Sequence, residues 1–78
     1  MVITVENNYS DGHESVQILE VDDPVFTQDR PVTDQLGDYL FRFTGDGHGI
    51  EPGIDACYTV TVQEAKDPTL VGRKIEWF

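Results

Sequence analysis

Seventy-eight residues specify one domain with a thin core, because a chain this short buries only about 60 % of the surface its unfolded form exposes. The 38 % hydrophobic and 26 % charged shares exclude intrinsic disorder, while fifteen Asp and Glu against five Lys and Arg, a net charge of −10, exclude direct binding to a polyanion such as DNA. The lone Cys57 excludes an intramolecular disulfide and points to a reducing compartment, and no stretch approaches the roughly 20 apolar residues of a membrane helix.

Residues Val2–Glu6 alternate, with Ile3 and Val5 on one face, and predict a strand. Asn7–His13 is rich in turn formers and predicts the closing turn of a hairpin. Glu14–Val21 predicts a second strand whose apolar parity changes midway, Val16 and Ile18 on one face and Leu19 and Val21 on the other, which calls for a bulge or burial on both sides. Asp22–Asp38 is irregular: Pro24 and Pro31 break regular structure, leaving room for one short helical turn over Val32–Leu36 ended by Gly37. Tyr39–Thr44 reads as a strand with Tyr39, Phe41 and Phe43 on one face, Gly45–Ala56 as a loop, Cys57–Glu64 as a strand presenting Tyr58, Val60 and Val62, and Arg73–Phe78 as a last strand presenting Ile75 and Trp77. About five strands with short connections predict a mainly β fold, a small antiparallel barrel or sandwich, with an antiparallel sheet carrying one short helix as the nearest alternative.

Chemistry-bearing motifs are sparse. The loop Gly45–Asp55 carries Asp46, His48, Glu51 and Asp55, oxygen and nitrogen donors for a cation, but departs from the calcium-loop spacing at His48 and in its glycine register, so a plain β connection is the better reading. The same loop lacks the lysine of a phosphate cradle. Cys57 has no neighbouring base to make it a nucleophile, and with one cysteine there is no Cys/His zinc spacing. His13 and His48 lie in separate loops and read as solvated. No catalytic residue, metal ligand or cofactor site is therefore expected, and the chain is expected to be a non-enzyme.

Charge is the main anomaly. Residues 1–38 carry nine carboxylates against Arg30 alone, whereas residues 39–78 carry six against four bases. Carboxylates two apart on a strand project from one face about 6.5–7 Å apart, a spacing compatible with imitation of a phosphate backbone. Glu14, Glu20, Asp22, Asp23, Asp29 and Asp34 are the candidate partner-binding residues. A solvated acidic coat of the salt-adapted kind is the competing explanation, in keeping with a lysine content limited to Lys66 and Lys74.

In its small size, acidity, lack of catalytic groups and compact β plan, the chain resembles the small phage-encoded anti-defence proteins: anti-CRISPR proteins, anti-restriction DNA mimics and the uracil-DNA glycosylase inhibitor. The resemblance covers the whole chain as a class likeness and transfers no individual residue. It implies an inhibitor whose acidic face occupies the basic nucleic-acid groove of a DNA-handling or CRISPR effector complex. A cytoplasmic protein, monomeric or weakly dimeric, that binds a basic protein surface and neither nucleic acid nor membrane is the expectation; a small structural or adaptor β module with a salt-adapted surface is the alternative.

Overall fold

The computed structural model describes residues 1–48 and 52–78; the expected loop Gly45–Ala56 thus has Gly49, Ile50 and Glu51 outside the described residues. The chain runs β1 (Val2–Tyr9), β2 (Glu14–Glu20), α1 (Val32–Phe41), β3 (Ala56–Glu64), a 3-10 turn (Pro68–Leu70) and β4 (Lys74–Trp77). The strands form one antiparallel sheet in the order β2-β1-β3-β4. The outer strands β2 and β4 do not pair with each other, so the sheet is open where a barrel or sandwich of about five strands was expected. The mainly β, antiparallel character is as the alternation predicts.

The hairpin is longer than the turn-rich sequence implies. β1 continues through Asn7 and Asn8 to Tyr9, leaving the turn to Ser10–His13, where Tyr9 N–H donates to the His13 carbonyl at 2.9 Å and Gly12 takes φ +92°, a conformation that favours glycine. The register of β1 on β2 is unbroken from Val2↔Glu20 to Asn8↔Glu14, so no bulge accounts for the parity change in β2. Instead β2 carries apolar residues on both faces. Leu19 packs against the core beside Val21, while Val16 and Ile18 lie on the opposite face, 64 % and 74 % exposed.

The strand expected over Tyr39–Thr44 is not formed: α1 runs through Gly37 to Phe41, and the chain turns over Arg42 and Phe43. Two periodicities overlap in this stretch. Tyr39, Phe41 and Phe43 alternate as in a strand, but Leu36, Tyr39, Leu40 and Phe43 follow the three-and-four spacing of one helical face. The second pattern wins because it places Leu36 and Leu40, both fully buried, on the sheet. Tyr39 and Phe43, four apart, meet edge to face at 5.4 Å, whereas Phe41 stays half exposed and leans on Trp77 at 5.5 Å.

One helix on one sheet makes a two-layer molecule, 16 Å across in its thinnest direction. Ile3, Val5, Val60 and Val62 of the central strands meet Leu36, Leu40 and Leu70 in a single core cluster. The other face of the sheet is uncovered by any described element. It presents Thr4, Glu6, Cys57, Thr59 and Thr61 from the central strands and Val16 and Ile18 from the edge.

Candidate functional site

Five of the six candidate acids gather at one end of the molecule. Glu20, Asp22 and Asp23 line a groove of about 1050 Å³ between the 20–26 segment and α1, whose lining also includes Arg30, Asp38 and Arg42 and the aromatic rings of Phe26, Tyr39 and Phe43. The Tyr39 hydroxyl donates to the Asp22 carbonyl at 2.6 Å, tying that segment to the helix. Gln35 secures the rest: its side chain bonds the Thr27 backbone through both its N–H and C=O and donates to the Arg30 carbonyl at 2.8 Å. An irregular segment is thereby held in one shape by two side chains of α1.

Electrostatics in this region is dominated by carboxylates. Arg30 Nη2 donates to Asp38 Oδ2 at 2.7 Å, and this bond, with the nearby charges of Asp34 and Asp29, holds the guanidinium proton still more firmly than usual. Asp29 accepts from the Thr27 hydroxyl, which lowers its pKa. Arg42 lies over the Tyr39 ring at 4.9 Å. Arg30–Asp38 is the one Lys/Arg–carboxylate ion pair among the described residues. Asp22, Asp29, Asp34 and Glu20 are exposed.

Asp23 and Glu14 differ from the other four candidates, Asp23 by its bonding and Glu14 by its position. Asp23 is half-buried and already engaged: Oδ1 accepts from the Met1 amine at 2.8 Å and Oδ2 from the Lys66 N–H at 2.9 Å, and these bonds lower its pKa. It fastens β1 to the chain after β3 and has little capacity left for a partner. Glu14 is at the far end of β2, roughly 20 Å from Glu20 at the rise of an extended strand.

A second constellation was hidden in the sequence. Asp46 Oδ2 accepts from Ser15 Oγ at 2.6 Å and faces His13 Nε2 at 2.9 Å, while Oδ1 accepts from the Tyr9 hydroxyl at 2.9 Å and the His48 N–H at 3.0 Å. These donors, Ser15 first, drive the Asp46 pKa far below the usual carboxylate range. An ionised carboxylate only accepts, so it fixes a proton on His13 Nε2. Burial together with the Asp46 carboxylate pushes the Tyr9 phenol up to about 12. His48 Nε2 reaches Asp11 Oδ2 at 2.6 Å, and that bond lowers the Asp11 pKa. The two imidazoles, expected to be separate and solvated, stack with centroids 3.9 Å apart. Beneath them the fully buried Asn7 donates to Ser15 Oγ and accepts from Gly45 N–H.

Chemically this cluster is a brace between the β1–β2 hairpin and the loop after α1. Ser15 and His13 both bond to Asp46, so no histidine nitrogen is bonded to the serine as a general base would be. Cys57 pairs in register with Asn8 and so projects from the bare face, opposite to Tyr9. Among the described residues no three His, Cys, Asp or Glu are placed to hold one metal ion, and no helix is long and apolar enough to cross a membrane.

Pattern reading could not have found the brace, because its members come from segments distant in the chain. The one local sign was that Ile3, Val5, Asn7 and Tyr9 share parity, which continues β1 into the cluster. No family model matches the chain, and neither a curated protein nor a solved structure shows significant similarity to it.

Proposed function

We propose that the protein is a non-enzymatic inhibitor that acts inside the cell by docking an acidic surface into the basic nucleic-acid groove of a DNA-handling or CRISPR effector complex. One observation carries this reading: Glu20, Asp22, Asp29 and Asp34 are exposed at the groove end and none of them has a Lys/Arg ion-pair partner among the described residues, Arg30 being paired with Asp38. Glu20, Asp22, Asp29, Asp34 and Asp38 occupy a strand end, a braced segment and a helix, a fixed three-dimensional pattern of negative charge. Such a pattern attracts a Lys/Arg channel over long range and competes with the phosphates that channel was built to hold. Glu14, at the other end of β2, adds to the net field and lies outside the docking face.

The test is capture of a basic nucleic-acid-handling complex on immobilised protein, with duplex DNA as competitor. Release by DNA, and loss of capture in the double variant Asp22→Lys/Asp34→Lys by at least about a hundredfold, is the expected result, in the range known for close interfacial charge pairs. Asp23 is spared because its reversal would break the bonds to Met1 and Lys66. Undiminished capture by the double variant overturns the assigned face. A second reading, an adaptor that binds through its bare sheet face, is favoured by the exposure of Val16 and Ile18; it predicts capture that Ile18→Lys abolishes and that DNA leaves untouched.

A further inference from the structure

The edge at β4 differs in charge from the rest of the molecule. Arg73 and Lys74 stand there against Glu76, whereas the opposite edge, β2, begins and ends in glutamate. Neither Lys74 nor Glu76 has an ion-pair partner among the described residues, and both are exposed. They share the bare face, while Ile75 and Trp77 point to α1, Ile75 Cδ1 lying 3.9 Å from where a Cβ on Gly37 would sit and Trp77 resting against Phe41. Exposed apolar groups gather beside the strand: Phe78 directly after it, 93 % exposed, and Phe41 on the adjoining helix.

The hydrogen-bonding groups of β4 alternate in direction. Val62 N–H donates to the Arg73 carbonyl at 2.9 Å, so that carbonyl points at β3. Alternation along an antiparallel ladder then turns Ile75 and Trp77 toward β3 as well, leaving the N–H and C=O of Lys74 and Glu76 on the free edge. A second β4 approaching antiparallel must set outward-facing residues opposite one another. Centred on Ile75, it places Lys74 opposite Glu76 of the copy and Glu76 opposite its Lys74, so that both ladder bonds and charges match. Centred on Glu76 or on Lys74, it sets like charges face to face. The β2 edge has no such solution over its full length: centred on Gln17, Glu14 meets Glu20 twice.

We propose that this edge is a self-recognition surface, on which a second copy of the chain pairs β4 with β4 about a two-fold axis through Ile75, extending two four-stranded sheets into one of eight strands. The acidic groove ends then lie away from the contact, which limits repulsion between two chains of charge −10 each.

The proposal is tested by sedimentation at about 0.15 M salt, where charges beyond roughly 8 Å are screened, with protein up to about 1 mM to suit so small an interface. Wild type is expected to reach twice the monomer mass. Lys74→Glu and Glu76→Lys each weaken association about tenfold or more, since each turns two attractive cross-strand pairs repulsive. Mixing the two variants regenerates opposite charges at every pair, so a heterodimer forms where neither variant self-associates, and the double swap Lys74→Glu/Glu76→Lys restores the homodimer. Circular dichroism confirms that each variant is folded. A wild type that stays monomeric to about 1 mM, or folded variants that do not complement on mixing, overturns the proposal.

Discussion

The Asp46 carboxylate meets four different residues, Tyr9, His13, Ser15 and His48, and its low proton affinity makes the brace a pH-dependent element. With its folded pKa depressed below the ordinary value of about 3.9, its contribution to stability is complete above that value and is lost as pH falls through the folded pKa. Asp11, depressed by His48, and Asp23, depressed by the Met1 amine, act in the same direction. Tyr9 acts oppositely: raised to about 12, it stabilises the fold below its ordinary pKa of about 10, and that contribution disappears as pH rises from there toward 12. Asp46→Asn is therefore expected to lower Tm by roughly 5–10 °C at neutral pH, through donors left without an ionised acceptor. The difference from wild type should shrink as pH falls below about 4, where the wild-type carboxylate begins to lose its advantage. Thermal unfolding of both proteins from pH 7 down to pH 3 measures this. A gap that is constant across the range means that the brace does not depend on Asp46 being ionised.

At the scale of elements, α1 is where pattern and packing part company. Cys57–Glu64 was legible as a strand because Tyr58, Val60 and Val62 alternate with threonines and nothing helical competes. Glu14–Val21 was legible in extent, although its double parity was explained only by the open sheet, which leaves Val16 and Ile18 on a bare face. Tyr39–Thr44 misled because three aromatics at period two outweighed two leucines four apart, and only the sheet decides that Leu36 and Leu40 must be buried. Gly37 reinforced the error by its reputation as a helix stop. Its φ is not positive, and a Cβ there would meet only Ile75 Cδ1 at 3.9 Å, an ordinary contact. Gly37→Ala should accordingly raise stability by about 0.5–1 kcal/mol, by improving helix propensity and reducing the freedom of the unfolded chain. Urea titration reads the change as a higher midpoint at unchanged slope. A loss of stability would contradict a helical Gly37. Of the candidate site, the acids were legible as a count and their gathering was not: Glu20, Asp22, Asp29 and Asp34 converge only because Gln35 and Tyr39 fold the proline-broken segment back on the helix.

For the whole molecule the question is what ten excess negative charges do to a two-layer fold with one bare sheet face. Thirteen of the fourteen acids among the described residues lack a Lys/Arg ion-pair partner there, so folding draws together charges that the unfolded chain keeps apart. Screening relieves that repulsion. The Debye length falls from about 10 Å at 0.1 M to about 3 Å at 1 M, and carboxylates two apart on a strand are about 7 Å apart. Most of the benefit therefore arrives by a few tenths molar. If the charge serves to engage a basic partner, Tm in potassium chloride should climb by roughly 5–10 °C up to about 0.3 M and then level off, with the protein already folded at the low end. An acidic coat adapted to salt behaves differently: it organises hydrated cations, so its Tm keeps rising into molar salt and the protein is poorly folded at low ionic strength. A plateau supports the docking role. A continued rise beyond about 1 M assigns the acids to hydration and overturns it, because by then long-range repulsion is already screened and only ion uptake by the folded surface remains to stabilise it.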